Sequence, residues 1–137
     1  MNALNKYANT VFCVTRLIVG LMFACHGGQK ILNFPPGGHG MPPGAIGLIS
    51  AWIELGGGLL IAFGFLTRIA AFLAAGEMAV AYFMVHAKGG FFPIQNHGEP
   101  AVLYCWFFLF VLCYGAGRWS IDAMVFKRAT PAAAASV

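Results

Sequence analysis

Residues 45–65 read AIGLISAWIELGGGLLIAFGF. Glu54 is the single ionisable side chain in this run. A stretch this long and this apolar matches the roughly 20 residues that a helix needs to cross a hydrocarbon core of about 30 Å. Pro42-Pro43-Gly44 stops any helix from entering it, and the turn from Gly64 to Arg68 closes it. Working outward, comparable runs fall at about 10–32, 69–87 and 101–116. The loops between them, 33–44 and 88–100, carry the remaining breakers: Pro35-Pro36-Gly37-Gly38, Gly89-Gly90, Pro93 and Gly98. Backbone amides inside hydrocarbon must be bonded within their own segment or in a closed barrel, and these runs are too long and too little alternating for barrel strands. The expected fold is all-α: a polytopic membrane protein, a four-transmembrane-helix bundle forming a single domain over residues 1–126, with 127–137 a flexible cytoplasmic tail.

Composition agrees. Of 137 residues, 60% are hydrophobic and 9% charged, against about 25% charged in an average soluble domain. That arithmetic excludes a soluble globule, a disordered chain and a nucleic-acid module, each of which needs far more polar or basic surface. The net charge of +4 is spread with no basic run longer than two residues, so the positives read as topology signals. Lys6, Arg68, Arg118, Lys127 and Arg128 share one side against Lys30 and Lys88 on the other, which predicts both termini in the cytoplasm. The first run lacks a small-residue cleavage site and is expected to stay in the mature protein. Cys13, Cys25, Cys105 and Cys113 form no CxxC pair and no metal-ligand spacing.

The informative residues are those that a membrane helix should avoid. Arg16, Glu54 and Glu77 lie within the runs, where an ionised group near the bilayer centre costs at least about 2.5–3.5 kcal/mol. The expectation is an interior cluster in which Arg16 pairs with one or both glutamates, since pairing offsets most of that cost. Such a cluster is either a clasp between helices, a proton relay to a bound quinone, or the lining of a solute path. At 100° per residue Gly47, Glu54, Gly58 and Ile61 share one face, and Arg16, Gly20, Phe23, Gly27 and Lys30 form a stripe on the first helix. Small residues so placed allow close packing or leave room for a flat ligand.

His26 and His86 are expected at similar depth near the outer boundary, with His39 and His97 in the outer loops. Clustered imidazoles can ligate haem iron or another metal. Glu77 and His86 are nine residues apart, however, and no carboxylate-rich or Cys/His spacing completes a metal site, so none is assigned. Trp119 suits an interfacial anchor.

In this order, several motifs resemble the DoxX family of small four-helix bacterial membrane proteins. They are Arg16 with Gly20, His26-Gly27 with Lys30, Glu54-Leu55-Gly56-Gly57, Gly64-Phe65-Leu66-Thr67-Arg68, and Gly76-Glu77 to Phe83 followed by His86. Phe91-Phe92-Pro93, Asn96, Gly98-Glu99, Ala101, Tyr104-Cys105 and Gly115 to Asp122 complete the resemblance over nearly the whole chain. It implies the four-helix fold. Related proteins include a membrane subunit of thiosulfate:quinone oxidoreductase, and others are associated with thiol or superoxide detoxification. The expected function is therefore an inner-membrane subunit that binds a quinone and works with a partner oxidoreductase. Arg16, Glu54 and Glu77 would pass protons, while His26, Lys30, His86, Asn96, Glu99 and Tyr104 would form an outer-side polar pocket. The rival readings are a structural subunit of a larger membrane complex and a small-solute transporter, the latter as a homo-oligomer.

Overall fold

The computed structural model describes residues 2–38 and 40–126. Every regular element among them is helical: α1 (Asn2–Asn5), α2 (Ala8–Leu32), α3 (Gly44–Trp52), α4 (Gly58–Phe63), α5 (Thr67–Met84), α6 (Pro93–Asn96), α7 (Glu99–Tyr114) and α8 (Ile121–Val125). A π-helical stretch, Ile53–Gly57, joins α3 to α4, and a 3-10 turn, His86–Gly89, extends α5. Three continuous helices are long and apolar enough to cross a membrane: Ala8–Leu32, Gly44–Phe63 and Thr67–Gly89. The 16 residues of α7 are also apolar but shorter, spanning about 24 Å at 1.5 Å per residue. Large apolar side chains such as Ile18, Ile69, Phe72, Leu103 and Trp106 stay exposed on the flanks, as befits a multi-pass membrane protein whose outer surface meets lipid.

Small residues decide how the first two spans meet. A Cβ at Gly20 would lie 2.6 Å from Ala62 N and 2.8 Å from Gly58 O, and one at Gly27 would run into Leu55 N and Ala51 O. The two backbones therefore touch, in the close-approach mode common between membrane helices. The expected faces are buried at Gly47, Glu54, Gly58 and Ile61 on the second span and at Arg16, Gly20, Phe23 and Gly27 on α2, while Lys30, the last of the α2 stripe, is half-buried. The other pair is α5 with α7, packed through Ala70, Ala71, Ala74 and Ala75 against Ala101, Phe108 and Val111. Aromatic contacts fasten α2 to α7, with Phe23 and Phe108 ring centroids 4.8 Å apart and Phe12 and Tyr114 4.3 Å apart.

The end of the bundle that holds Asn9 and Trp119 is tied by polar bonds. Gly64 ends α4 in the left-handed region at φ 71°, and Leu66 follows at φ 46°. That conformation is unfavourable for a bulky residue. Asp122 holds it in place: its carboxylate accepts from Leu66 N at 2.8 Å and from Thr67 N at 2.9 Å, capping α5 from a distant part of the chain. Asn9 joins the same end, accepting from Arg118 N at 3.1 Å and donating to the Tyr114 hydroxyl at 3.2 Å. The tail 127–137, with Lys127 and Arg128, lies outside the described residues.

Candidate functional site

Arg16 is 1% exposed, as its burial in a span predicts, but it meets neither glutamate. Its Nη1 donates to the carbonyls of Ile61 and Ala62, the latter at 2.9 Å, and its Nη2 donates to Trp119 O at 2.7 Å. This corrects the expected Arg16–glutamate cluster, and the reason is register. Gly20 against Gly58 and Gly27 against Ala51 set an antiparallel alignment that puts Arg16 opposite Ala62 and Glu54 opposite Ala24. Eight residues, about 12 Å of helix, separate Arg16 from Glu54 in that alignment. The last turn of α4 also presents its carbonyls at the negative end of the helix dipole, where a cation is well placed, although Ile61 O already accepts from Gly64 N at 3.1 Å.

The two glutamates converge instead on Lys30. Lys30 Nζ lies 2.7 Å from Glu54 Oε2 and donates to Ser50 Oγ at 3.1 Å, and Ser50 Oγ donates in turn to Glu77 Oε1 at 2.9 Å. Four side chains from three helices thus form one chain of polar contacts. Lys30 reaches it from the last turn of α2. Glu54 sits in the π-helical stretch, a local widening often found at functional sites. Ser50, one turn before Glu54 on the same face, is the member that sequence reasoning missed. Its signal was the i, i+4 spacing.

These groups form one wall of a cavity of about 570 Å³, within the range of about 300–1,000 Å³ usual for small-molecule sites. The rest of the lining is mainly apolar, from Phe23, Ile46, Ile53, Met78 and Ala81. His26, His86 and Tyr104 complete it. Two buried oxygens here have no hydrogen-bond partner, Glu77 Oε2 and the Tyr104 hydroxyl, and Glu54 Oε2 has the ion pair without a hydrogen bond of good geometry. Buried polar atoms are nearly always paired, so two orphans on one cavity wall mark it as a place where something else supplies the partner.

The other expected pocket residues lie elsewhere. Asn96 is buried but turned into its own loop: its amide donates to Gly90 O at 2.7 Å and to the Tyr82 hydroxyl at 3.3 Å, and its Oδ1 accepts from Gly98 N at 2.8 Å. It is a keystone of the segment 86–98, and His86 Nδ1 stands 3.1 Å from its carbonyl. Glu99 is exposed at the start of α7 and does not line the cavity. His26 and His86 both line the cavity, His97 is exposed, and His39 lies outside the described residues. Among the described residues no three His, Cys, Asp or Glu side chains come together as a metal site would require.

The DoxX family model matches residues 11–87, a stretch that includes Arg16, Lys30, Ser50, Glu54, Glu77 and His86 and stops short of Tyr104. An uncharacterized protein of Haemophilus influenzae is 41% identical over 134 residues, covering 93% of this chain and all of its own length (100%). An uncharacterized membrane protein of Mycobacterium tuberculosis is 31% identical, with 88% of this chain and 84% of that one covered. An inner membrane protein of Escherichia coli is 27% identical over 91% of this chain and 99% of its own. No solved structure matches this chain at a significant level.

Proposed function

We propose, starting from the fact that this chain belongs to the DoxX family, that it is an inner-membrane subunit binding a quinone or a similar amphipathic molecule and working with a partner oxidoreductase. The observation that carries this reading is the cavity wall inside the bundle where Glu77 Oε2 and the Tyr104 hydroxyl stand unpartnered beside the Lys30–Glu54 ion pair. A quinone head group fits that wall: its carbonyl oxygens accept hydrogen bonds, its ring matches the apolar lining, and its tail is at home in lipid. When bound it would supply an acceptor of electrons and protons. The chain's own part is to orient and to deliver protons. The Tyr104 hydroxyl and Lys30 are donors, Glu77 and Glu54 hold or pass protons through Ser50, and Phe23, Ile53 and Met78 exclude water. Electrons belong to the partner in this scheme.

In the same reading α7 is the fourth span, both termini are cytoplasmic, and the cavity opens in the outer half of the membrane. Support comes from Asn9, Arg68, Arg118 and Asp122 gathering at one end of the bundle, the end richer in arginine. The transporter reading is less favoured by the packing. Beyond Glu54 the first two spans touch backbone to backbone at Gly20 and Gly58, so a path through one chain would have to part them.

The test compares reduction of a short-chain quinone analogue by membranes with and without the protein, together with binding of that analogue to the purified chain. Binding that weakens in Tyr104→Phe and Glu77→Ala supports the reading. Indistinguishable reduction rates and no binding would overturn it.

A further inference from the structure

The polar wall holds an odd number of charges. Lining the cavity with Glu77 are Lys30 and His26 from α2, Glu54 from the π-helical stretch and Tyr104 from α7, with His86 nine residues further on, in the 3-10 turn after α5. Lys30 is the single ammonium among them, and its ion pair is with Glu54. Neither histidine hydrogen-bonds a carboxylate: His26 stands edge-on to the Tyr104 ring at 6.1 Å, and His86 Nδ1 is on Asn96 O. With both glutamates ionised, one negative charge would be left in hydrocarbon with nothing to balance it, and a buried group in that position takes up a proton instead.

The hydrogen bonds say which group and which oxygen. Lys30 donates to Ser50, and Ser50 then has its own proton to give to Glu77 Oε1. Oε1 is therefore an acceptor, and Oε2 is the oxygen with no partner. We infer that Glu77 is held as the neutral carboxylic acid, and that its Oε2–H is the cavity's donor to a carbonyl oxygen on an uncharged amphipathic ligand. The ligand part of this inference rests on the quinone reading above, whereas the protonation part does not.

Infrared spectroscopy of the whole protein in lipid nanodiscs near neutral pH separates the two. The C=O stretch of a buried carboxylic acid is expected in the unaltered protein and absent from Glu77→Gln. It is absent also from Glu54→Gln, because one ammonium and one carboxyl then balance and Glu77 ionises. A missing band in the unaltered protein, or a band that persists in either variant, overturns the inference. The second measurement is binding of a short-chain ubiquinone across pH. Affinity should fall about tenfold per pH unit once the acid ionises and stay level in Glu77→Gln, whose amide still donates. A pH-independent affinity in the unaltered protein, or a long-chain alkylamine that binds more tightly as pH rises, would overturn the ligand part. If the band is present but the quinone binds at no pH, the quinone reading falls and the protonated Glu77 stands.

Discussion

Two cationic side chains of α2, Arg16 buried and Lys30 half-buried, have opposite fates. Arg16, near one end of the bundle, donates through Nη1 and Nη2 to the backbone carbonyls of Ile61, Ala62 and Trp119. Lys30, near the other, pairs with Glu54 and Ser50 beside a cavity. The difference follows from where helices end. A helix terminus offers carbonyls that can accept from a guanidinium, whereas the middle of a span has its carbonyls engaged, so a charge there must be met by side chains. Around Arg16 the chain is locked by Asp122, Asn9 and Ser120. Both regions leave polar atoms over, Arg16 Nε and Thr67 Oγ1 in one, Glu77 Oε2 and the Tyr104 hydroxyl in the other, and only the second two belong to residues that line the cavity. A buried charge in a membrane helix is thus not evidence of chemistry until its partners are known.

Substitutions can break this contrast or sharpen it. Arg16→Met should be the most damaging, costing about 3–5 kcal/mol of stability because several charge-assisted hydrogen bonds are lost at once and carbonyls are left bare, with thermal unfolding in detergent as the readout. If instead the fold survived while quinone-analogue binding vanished, Arg16 would return to the functional site. Lys30→Met should cost about 3 kcal/mol by stranding Glu54, and the double variant Lys30→Met/Glu54→Gln should recover most of that loss, since removing both partners is cheaper than removing one. Strictly additive costs would mean that the pair is not coupled. Asp122→Ala removes the cap that holds Leu66 and Thr67 and should cost about 1–2 kcal/mol without changing ligand affinity. Tyr104→Phe should move stability by less than about 0.5 kcal/mol, because its hydroxyl has no partner to lose. Affinity for the quinone analogue should nonetheless fall about tenfold, the worth of one hydrogen bond.

Much of the helical organisation was legible because hydrocarbon imposes a crude rule. Residues 45–65 exclude nearly every charge, and a helix is what such a run must form. The glycine face around Glu54 was legible for a related reason, since close approach needs Gly47 and Gly58 on one side. The site was legible only in its ingredients. Lys30 was expected at the outer boundary, yet its side chain reaches inward to Glu54. Asn96 looked like a ligand contact, but its amide closes the loop around Gly90 and Gly98. The Gly64 to Arg68 turn and the stretch ending in Asp122 read as motifs; their partnership is a capping bond between residues 55 and 56 apart in sequence.

By itself the sequence determined that this chain is a helical membrane protein, which segments are apolar enough to be helices, and which ionisable residues had to be sheltered, because those depend on composition and period alone. Only the tertiary structure decided who shelters whom. Pairing depends on helix register to within one turn, and that register is set by backbone contact at Gly20, Gly27 and Gly58, a property of how two helices meet that neither helix carries in its own pattern.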